Sequence, residues 1–420
     1  MEKKLFAILT CVLFTLGLSA QEEKTKLTTK FYGFVRGDFA YDTRQSVAAN
    51  EGLFFLYPKD ELPDANGKDL NDVSNSGFYA FNSRLGVDVS GYSALNADLS
   101  AKIEADFAGF SGTNGNSTVL RIRRAFLKMN WEDATLLLGQ EWHPMFSNVI
   151  PDVISLSAGA PFNVFNRSPQ LRLDYKINNI VLSGSILYQL QYTSAGPDGK
   201  TNNYQRNANV PELYLGAEYK NNGLSVGAFI DYLTLKPRTQ TSVETPSGPL
   251  TYKVDEHLNS FSYGAYAGYN NRLFSISAKT IFGQNLSDMC MLGGYGITKK
   301  DANTGEQEYT NFKHTSSWLN ISYGKKYKGN LFAGFTKNLG TEKALLENSA
   351  MYGDGLSLDQ LYRLVGTFSY NVSRFSLGVE YEMTTADYGD ADAFNWKKGK
   401  YDKSHGVTNH RIVGVVCYNF

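Results

Sequence analysis

Eight basic residues and two carboxylates are the groups in this 420-residue chain whose placement suggests chemistry. Arg36, Arg84, Arg172, Arg363 and Arg411 each fall near the middle of a run of alternating apolar and polar residues, on its polar side. Lys102 stands at the corresponding point of another run, and Arg123 or Arg124 at that of the next. Fixed positive charge on the wall of a narrow, low-dielectric passage concentrates anions, because field lines are focused there. The competing account is internal charge balance, since Asp38, Asp88, Asp98, Glu104 and Asp174 share those faces. Arg121-Ile122-Arg123-Arg124 poses a parity problem: consecutive arginines point to one side of a strand only across a bulge.

Other chemistries find little support. The five histidines, His143, His257, His314, His405 and His410, fall mostly in loops or at strand ends, with no nucleophile spaced around them. A hydrolytic barrel enzyme is therefore disfavoured, and such enzymes resemble ten- or twelve-strand folds. No metal-ligand spacing is visible, and Asp301-Ala302-Asn303-Thr304-Gly305 has too few carboxylates for a calcium loop. No cofactor is expected. Cys290 and Cys417 lie in a loop and in the last strand and are not expected to pair.

The elements that carry these residues alternate with period two. In Leu95 to Phe107 every second residue is apolar, and the intervening ones are Asn96, Asp98, Ser100, Lys102, Glu104 and Asp106. Five times such a run ends in tyrosine, turns within a few polar residues and starts again, as at Tyr219-Lys220-Asn221-Asn222-Gly223; the chain stops on Tyr418-Asn419-Phe420. Short turns are predicted near 91–94, 132–134, 177–179, 221–223, 270–272, 325–329 and 371–373. Long connections are predicted near 42–77, 109–117, 142–168, 193–208, 236–257, 285–313, 338–357 and 385–406. The strands then fall at 30–41, 78–91, 95–108, 118–131, 135–141, 169–176, 180–192, 209–220, 224–235, 258–270, 273–284, 314–324, 329–338, 358–371, 374–384 and 407–420. An even number of antiparallel strands with short turns at one end and long loops at the other is the rule for outer-membrane barrels. Tyr92, Trp131, Tyr175, Tyr219, Tyr269, Tyr323, Tyr370 and Tyr418 would form an interfacial girdle on the turn side. The expected fold is all-β: a transmembrane antiparallel up-and-down barrel of sixteen strands, over residues 30–420.

With apolar residues facing lipid, parity sends the charged ones inward, since an arginine at mid-bilayer costs about 2–4 kcal/mol. Strands 14, 16, 1, 2, 3, 4 and 6 are near neighbours round a closed ring, so their cations form one basic sector. Strands 8 to 13 offer mostly Ser, Asn, Gln, Tyr and Gly inward, with Glu212, Glu218 and Lys279 as exceptions. The connection 142–168 carries the apolar clusters Pro144-Met145-Phe146, Val149-Ile150, Val153-Ile154 and Pro161-Phe162. Folded into the lumen it would bury them, narrow the channel, and turn Glu141 and Asp152 toward the basic sector; an external cap is the alternative. The loops 42–77 and 285–313 are polar and rich in Gly and Asn, which suits surface variation and leaves an adhesin or receptor as a further function class.

Composition agrees with strands rather than helices in the membrane. Hydrophobic residues make up 42% of the chain, aromatics 14%, and the mean hydropathy is −0.32. Residues 1–20 read as a cleavable export signal: Lys3 and Lys4, then an apolar run to Leu18, then Ser19-Ala20. A short segment, 21–29, leads to the first strand, too little for the plug of an energised transporter. Lys plus Arg and Asp plus Glu are both 41, which excludes the basic excess of a nucleic-acid binder.

The chain resembles the trimeric sixteen-strand porins of Gram-negative outer membranes. Arg123-Arg124-Ala125-Phe126-Leu127-Lys128, then Leu138-Gly139-Gln140-Glu141-Trp142 and a long apolar loop, look like their fourth strand, fifth strand and constriction loop. The arginine-rich fourth strand resembles that of the DcaP-like dicarboxylate channels and the phosphate-selective porins O and P. The resemblance implies residence among outer-membrane lipids and passive passage of small hydrophilic solutes, with anions such as phosphate or carboxylates favoured. It also implies a homotrimer, packed through the outward faces of the first and last strands, including Val35, Phe39, Leu85, Val87, Leu99 and Ile103.

Overall fold

The computed structural model describes residues 26–111, 117–147 and 149–420; the expected export signal lies outside them. Sixteen wall strands follow in chain order. They are β1 Thr28–Asp42, β2 Arg84–Ala94, β3 Ala97–Ser111, β4 Ser117–Asn130, β5 Ala134–Trp142, β6 Arg167–Ile177, β7 Ile180–Leu187 and β8 Glu212–Asn221. The second half comprises β9 Leu224–Leu235, β10 Leu258–Asn270, β11 Phe274–Gln284, β12 Gln307–Gly324, β13 Tyr327–Thr341, β14 Leu358–Val372, β15 Phe375–Gly389 and β16 Ser404–Asn419. Each pairs antiparallel with its sequence neighbours, and β16 returns to β1, from Phe34↔Asn419 to Asp42↔Arg411. Phe420 extends the seam: its N–H donates to the Gly33 carbonyl at 3.0 Å, and Gly33 N–H returns the bond at 3.2 Å. The ring is closed, so no membrane-embedded edge is left with unpaired backbone groups. Among the described residues no helix is long and apolar enough to cross a membrane.

Tight turns set the register. Asn222 and Gly223 have φ of 46° and 83° between Asn221 and Leu224, the left-handed pair that a two-residue hairpin requires. Leu95 and Asn96 do the same between Ala94 and Ala97 (φ 53° and 57°), which corrects the turn expected near 91–94 and removes Leu95 from its strand. The misleading signal is Gly91, which forms a bulge between Ser90 and Tyr92 rather than the turn. The expected strand 78–91 is also divided. Asn75–Tyr79 pairs with the upper half of β1 and β2 with the lower half, while Ser83 Oγ accepts the Arg36 N–H in the gap at 3.0 Å. β12, β13 and β15 run several residues beyond their predicted ends, because period-two pairing continues above the lipid, where no apolar face is needed.

The outer surface is apolar. Leu85, Ile103, Leu138, Leu215, Ile230, Leu331 and Leu364 are each at least half exposed, a belt that only lipid can cover. Tyr92, Tyr175, Tyr219, Tyr269, Tyr323 and Tyr418 stand exposed at its turn-side border.

The lumen is filled from one side. Loop 3, residues 143–166, buries Met145, Phe146, Val149, Ala160, Phe162, Val164 and Phe165 against Tyr214, Phe229, Tyr266, Ile281, Trp318 and Phe332 of β8 to β13. The inward residues of that wall are mostly of the polar and small types expected, such as Ser260, Ser262, Ser316, Asn320, Ser322 and Asn330, and Phe229, Ile281, Trp318 and Phe332 among them form an apolar socket for the loop. Loops 1 (43–83) and 6 (285–306) also turn inward, contrary to the expectation of surface loops. The hairpin Ser46–Ala49/Phe54–Pro58 buries Leu53, Phe54, Phe55 and Tyr57, and its Phe54 meets Phe165 of loop 3 edge-on at 4.8 Å. From loop 6, Leu286, Met289, Met291 and Leu292 join the same core, and Phe165 N–H donates to the Met289 carbonyl at 2.9 Å.

Candidate functional site

Loop 3 crosses the barrel on a series of polar anchors. Lys279 Nζ donates to the Met145 carbonyl (2.6 Å) and to Asn163 Oδ1 (3.3 Å), near the end of the short helix α1, Pro144–Ser147. Ser316 Oγ holds the Phe162 carbonyl at 3.0 Å, and Trp318 Nε1 holds Asn163 Oδ1 at 3.2 Å. Glu380 accepts the N–H groups of Ile154 and Ser155 at 2.8 and 3.0 Å, and Arg36 Nη2 reaches the Ile154 carbonyl at 2.6 Å. The loop therefore lies along β8 to β15 and ends against β1. The water-facing passage is left between the loop and the inner face of β1 to β7. On the turn side, a cavity of about 600 Å³ lies between the tip of loop 3 and the wall, lined by Phe34, Arg36, Asp152, Ile154, Lys328 and Gly378.

The inner face of β1 to β6 is a continuous network of charge. Arg36 pairs with Asp38 (2.6 Å), Lys102 with Asp88 (2.7 Å), Arg84 with Glu104 (3.5 Å) and Arg172 with Asp174 (3.2 Å). The register slips between Glu104↔Arg124 and Ala105↔Ile122, leaving Arg123 as the extra residue of a bulge. Both arginines consequently reach the lumen. Arg123 binds Glu104 (3.1 Å) and Asp106 (2.7 Å), and Arg124 grips Glu141 with two bonds of 2.7 and 2.5 Å. The next strand is built around this bulge. Gln140 Nε2 donates to the carbonyls of Ile122 and Arg123 at 3.3 and 3.1 Å. At Gly139 (φ 133°) a Cβ would stand 2.3 Å from the Ala125 carbonyl oxygen. The Leu138-Gly139-Gln140-Glu141-Trp142 segment is thus the complement of the arginine bulge.

Three cations of the site escaped the sequence reading. Arg121 holds Asp106 with bonds of 3.0 and 2.9 Å, and Lys128 lies over the Phe126 ring. Strand parity points to both, since they share the faces of Arg123 and Arg124. Arg167 has no such signal, because it sits where loop 3 rejoins the wall. Its guanidinium is fully buried among Trp142, Phe165 and Tyr192, at 4.7, 5.6 and 5.4 Å from the ring centres, and donates to Tyr192 Oη at 2.8 Å. Burial raises the Tyr192 hydroxyl above its ordinary range, so it stays neutral beside the cation. Nε and Nη1 of Arg167 are left without acceptors.

Among the described residues of this sector, nine cations (Arg36, Arg84, Lys102, Arg121, Arg123, Arg124, Lys128, Arg167 and Arg172) meet seven carboxylates (Asp38, Asp88, Asp98, Glu104, Asp106, Glu141 and Asp174). The surplus is positive. Arg84, Arg121 and Arg124 keep 22%, 23% and 25% of their side-chain surface in water, so they are the outermost layer of that charge.

Three predicted site residues stand elsewhere. Arg363 and Arg411 do point inward, but loop 1 covers them and neither faces the passage. Arg411 pairs with Asp42 at 2.9 Å and donates to the Gly52 carbonyl at 3.0 Å. Arg363 donates to the Leu56 and Ala160 carbonyls at 2.6 and 3.0 Å, and Phe55 lies under both guanidinium groups. They fasten loops. Asp152 turns from the basic sector to Lys328 and Ser322 on the opposite wall, and Glu141, which lies on β5, is neutralised by Arg124. The transverse field expected from those two acids is therefore absent in this arrangement. Replacing Arg411 by Ala leaves Asp42 buried without its cation, a loss of about 3–5 kcal/mol. The expected result is release of the loop 1 hairpin, read as faster proteolytic cleavage within residues 50–53 while the barrel stays intact.

A sequence profile described as DcaP outer membrane protein matches residues 17–234. No curated protein matches the chain by sequence. Among solved structures, the outer membrane channel DcaP of Acinetobacter baumannii is similar at 19% identity with a TM-score of 0.63, over 96% of this chain and all of that one. OmpT of Vibrio cholerae is similar at 12% identity and a TM-score of 0.54, over 96% of this chain and 100% of that one. An anion-selective porin from Comamonas acidovorans is similar at 11% identity and a TM-score of 0.53, over 94% and 100%. At these identities the three establish the barrel architecture.

Proposed function

Because this chain belongs to the DcaP outer membrane protein family, we propose that its barrel is a passive, water-filled channel that favours small anionic solutes. It resides in the outer membrane of a Gram-negative bacterium, and its family and architecture are those of non-enzymatic porins. The observation that carries the anion preference is the positive surplus on β1 to β6, opposite an apolar loop that supplies no free carboxylate on that side. A solute anion passing Arg84, Arg121 and Arg124 meets donors already oriented by Glu104, Asp106 and Glu141. It therefore gains attraction without ordering long, free side chains. Carboxylates and phosphates suit the planar fork of arginine. One solved neighbour is named anion-selective, which supports the same reading at the level of architecture.

A homotrimer belongs to this proposal. Val35, Phe39, Leu85 and Ile103 stand exposed on β1 to β3. A trimer form is recorded for the similar Vibrio cholerae OmpT. Proteoliposome swelling tests the channel reading. Dicarboxylates should enter faster than diamines of equal length, and equal rates would overturn the anion preference.

A further inference from the structure

A group of buried carboxylates at the root of loop 3 has no part in the passage. Glu212 on β8, Asp231 on β9 and His143 each offer one ligand atom, and those atoms lie within 4.8 Å of one another. His143 Nε2 is 3.1 Å from Glu212 Oε1 and 3.9 Å from Asp231 Oδ1. The three side chains are 0%, 0% and 4% exposed for His143, Glu212 and Asp231. Asp288 of loop 6, 1% exposed, is a further buried carboxylate at the root of loop 3.

These acids lack donors. Glu212 Oε2 and Asp231 Oδ1 accept no hydrogen bond, and among the described residues no lysine or arginine pairs with either acid. The Met145 N–H points at His143 Nδ1 (3.3 Å), so the ring hydrogen sits on Nε2 and is donated to Glu212. One donor serves two acids. Ionised carboxylates are acceptors only, and burying them without a counter-charge is costly.

We infer that this cluster binds one divalent cation of the oxygen-preferring class, Ca²⁺ fitting best, through the carboxylates of Glu212 and Asp231, with His143 holding Glu212 in place. The orphaned atoms are all carboxylate oxygens, the donors that hard cations select. Calcium takes such oxygens at about 2.3–2.6 Å, so two ligands on opposite sides of the ion stand about 4.8 Å apart. Glu212 and Asp231 belong to the wall and His143 to loop 3, so the ion ties the root of loop 3 to the barrel beside loop 6. Asn166 already joins these loops by donating to the Asp288 carbonyl at 2.9 Å. The inference is independent of which solutes pass the channel.

The test uses the purified full-length protein, stripped with EDTA and freed of chelator, titrated with CaCl₂ by calorimetry and followed by thermal unfolding. One ion per chain should bind and raise the unfolding temperature, with affinity falling at least about tenfold in E212Q and D231N. These variants separate the site from surface carboxylates. A stripped wild-type protein that binds no more Ca²⁺ than the variants would overturn the site, as would binding of Zn²⁺ without Ca²⁺. If neither variant folds, the wild type decides alone: no one-to-one isotherm and an unmoved unfolding temperature sink the proposal.

Discussion

Replacing Arg84, Arg124 and Arg172 together by glutamine should abolish the anion preference of the channel. The substitution reduces nine cations against seven carboxylates to six against seven, and frees Glu141 and Asp174 from their partners. Both acids then present negative charge to the same passage. We expect the anion-to-cation permeability ratio to fall about tenfold, equivalent to about 1.4 kcal/mol between the two ion types. The corresponding lysine variant keeps the charge and should keep most of the ratio. Salt supplies an internal check, because the Debye length shortens from about 10 Å at 0.1 M to about 3 Å at 1 M. The gap between wild type and glutamine variant should therefore narrow as salt rises. A ratio that survives the triple substitution would assign these arginines to structural balance alone.

Enlarging Gly334 should open the channel. Gly334 lies on β13 beneath loop 3, and a Cβ there would stand 2.4 Å from Phe162 Cγ. Phe162 is fully buried, with the Phe332 ring at 6.3 Å and the Arg363 guanidinium at 5.3 Å from its centre, so it has no free direction to yield. Gly334→Leu must lift the 160–163 segment and break its bonds from Ser316, Trp318, Lys279 and Arg363. Phe162→Ala reaches the same end by removing the anchor, at about 3–5 kcal/mol. The strand ladder is untouched in both, so the barrel should keep its heat resistance. Single-channel conductance should rise about two- to fivefold, because widening the narrowest point lowers the largest barrier to ions. Unchanged conductance in both variants would mean that loop 3 does not set the constriction.

How far the sequence reached depended on the kind of question. Parity along a strand is a local property, so Arg36, Arg84, Lys102 and Arg172 were legible, and the Arg123/Arg124 conflict announced its bulge. Parity also put Arg363 and Arg411 inward, correctly. It carried no information on what else occupies the lumen, and loop 1 covers them. The same limit hid the socket of Phe229, Ile281, Trp318 and Phe332, since inward apolar residues make sense only once loop 3 lies on them. Loop 6 reads as polar over most of its length, and the short apolar run Met289-Cys290-Met291-Leu292 has no periodicity to show that it is buried. The His143, Glu212 and Asp231 cluster joins three distant segments, so no spacing rule could reveal it.

Zero-current potential of the wild-type channel in a planar bilayer, across a KCl gradient at low total salt, bears most directly on the whole account. A potential of the sign that marks chloride as the more permeant ion, reduced when phosphate or a dicarboxylate competes, is the predicted result. A potential of potassium-selective sign, or none, would contradict a positive passage along β1 to β6.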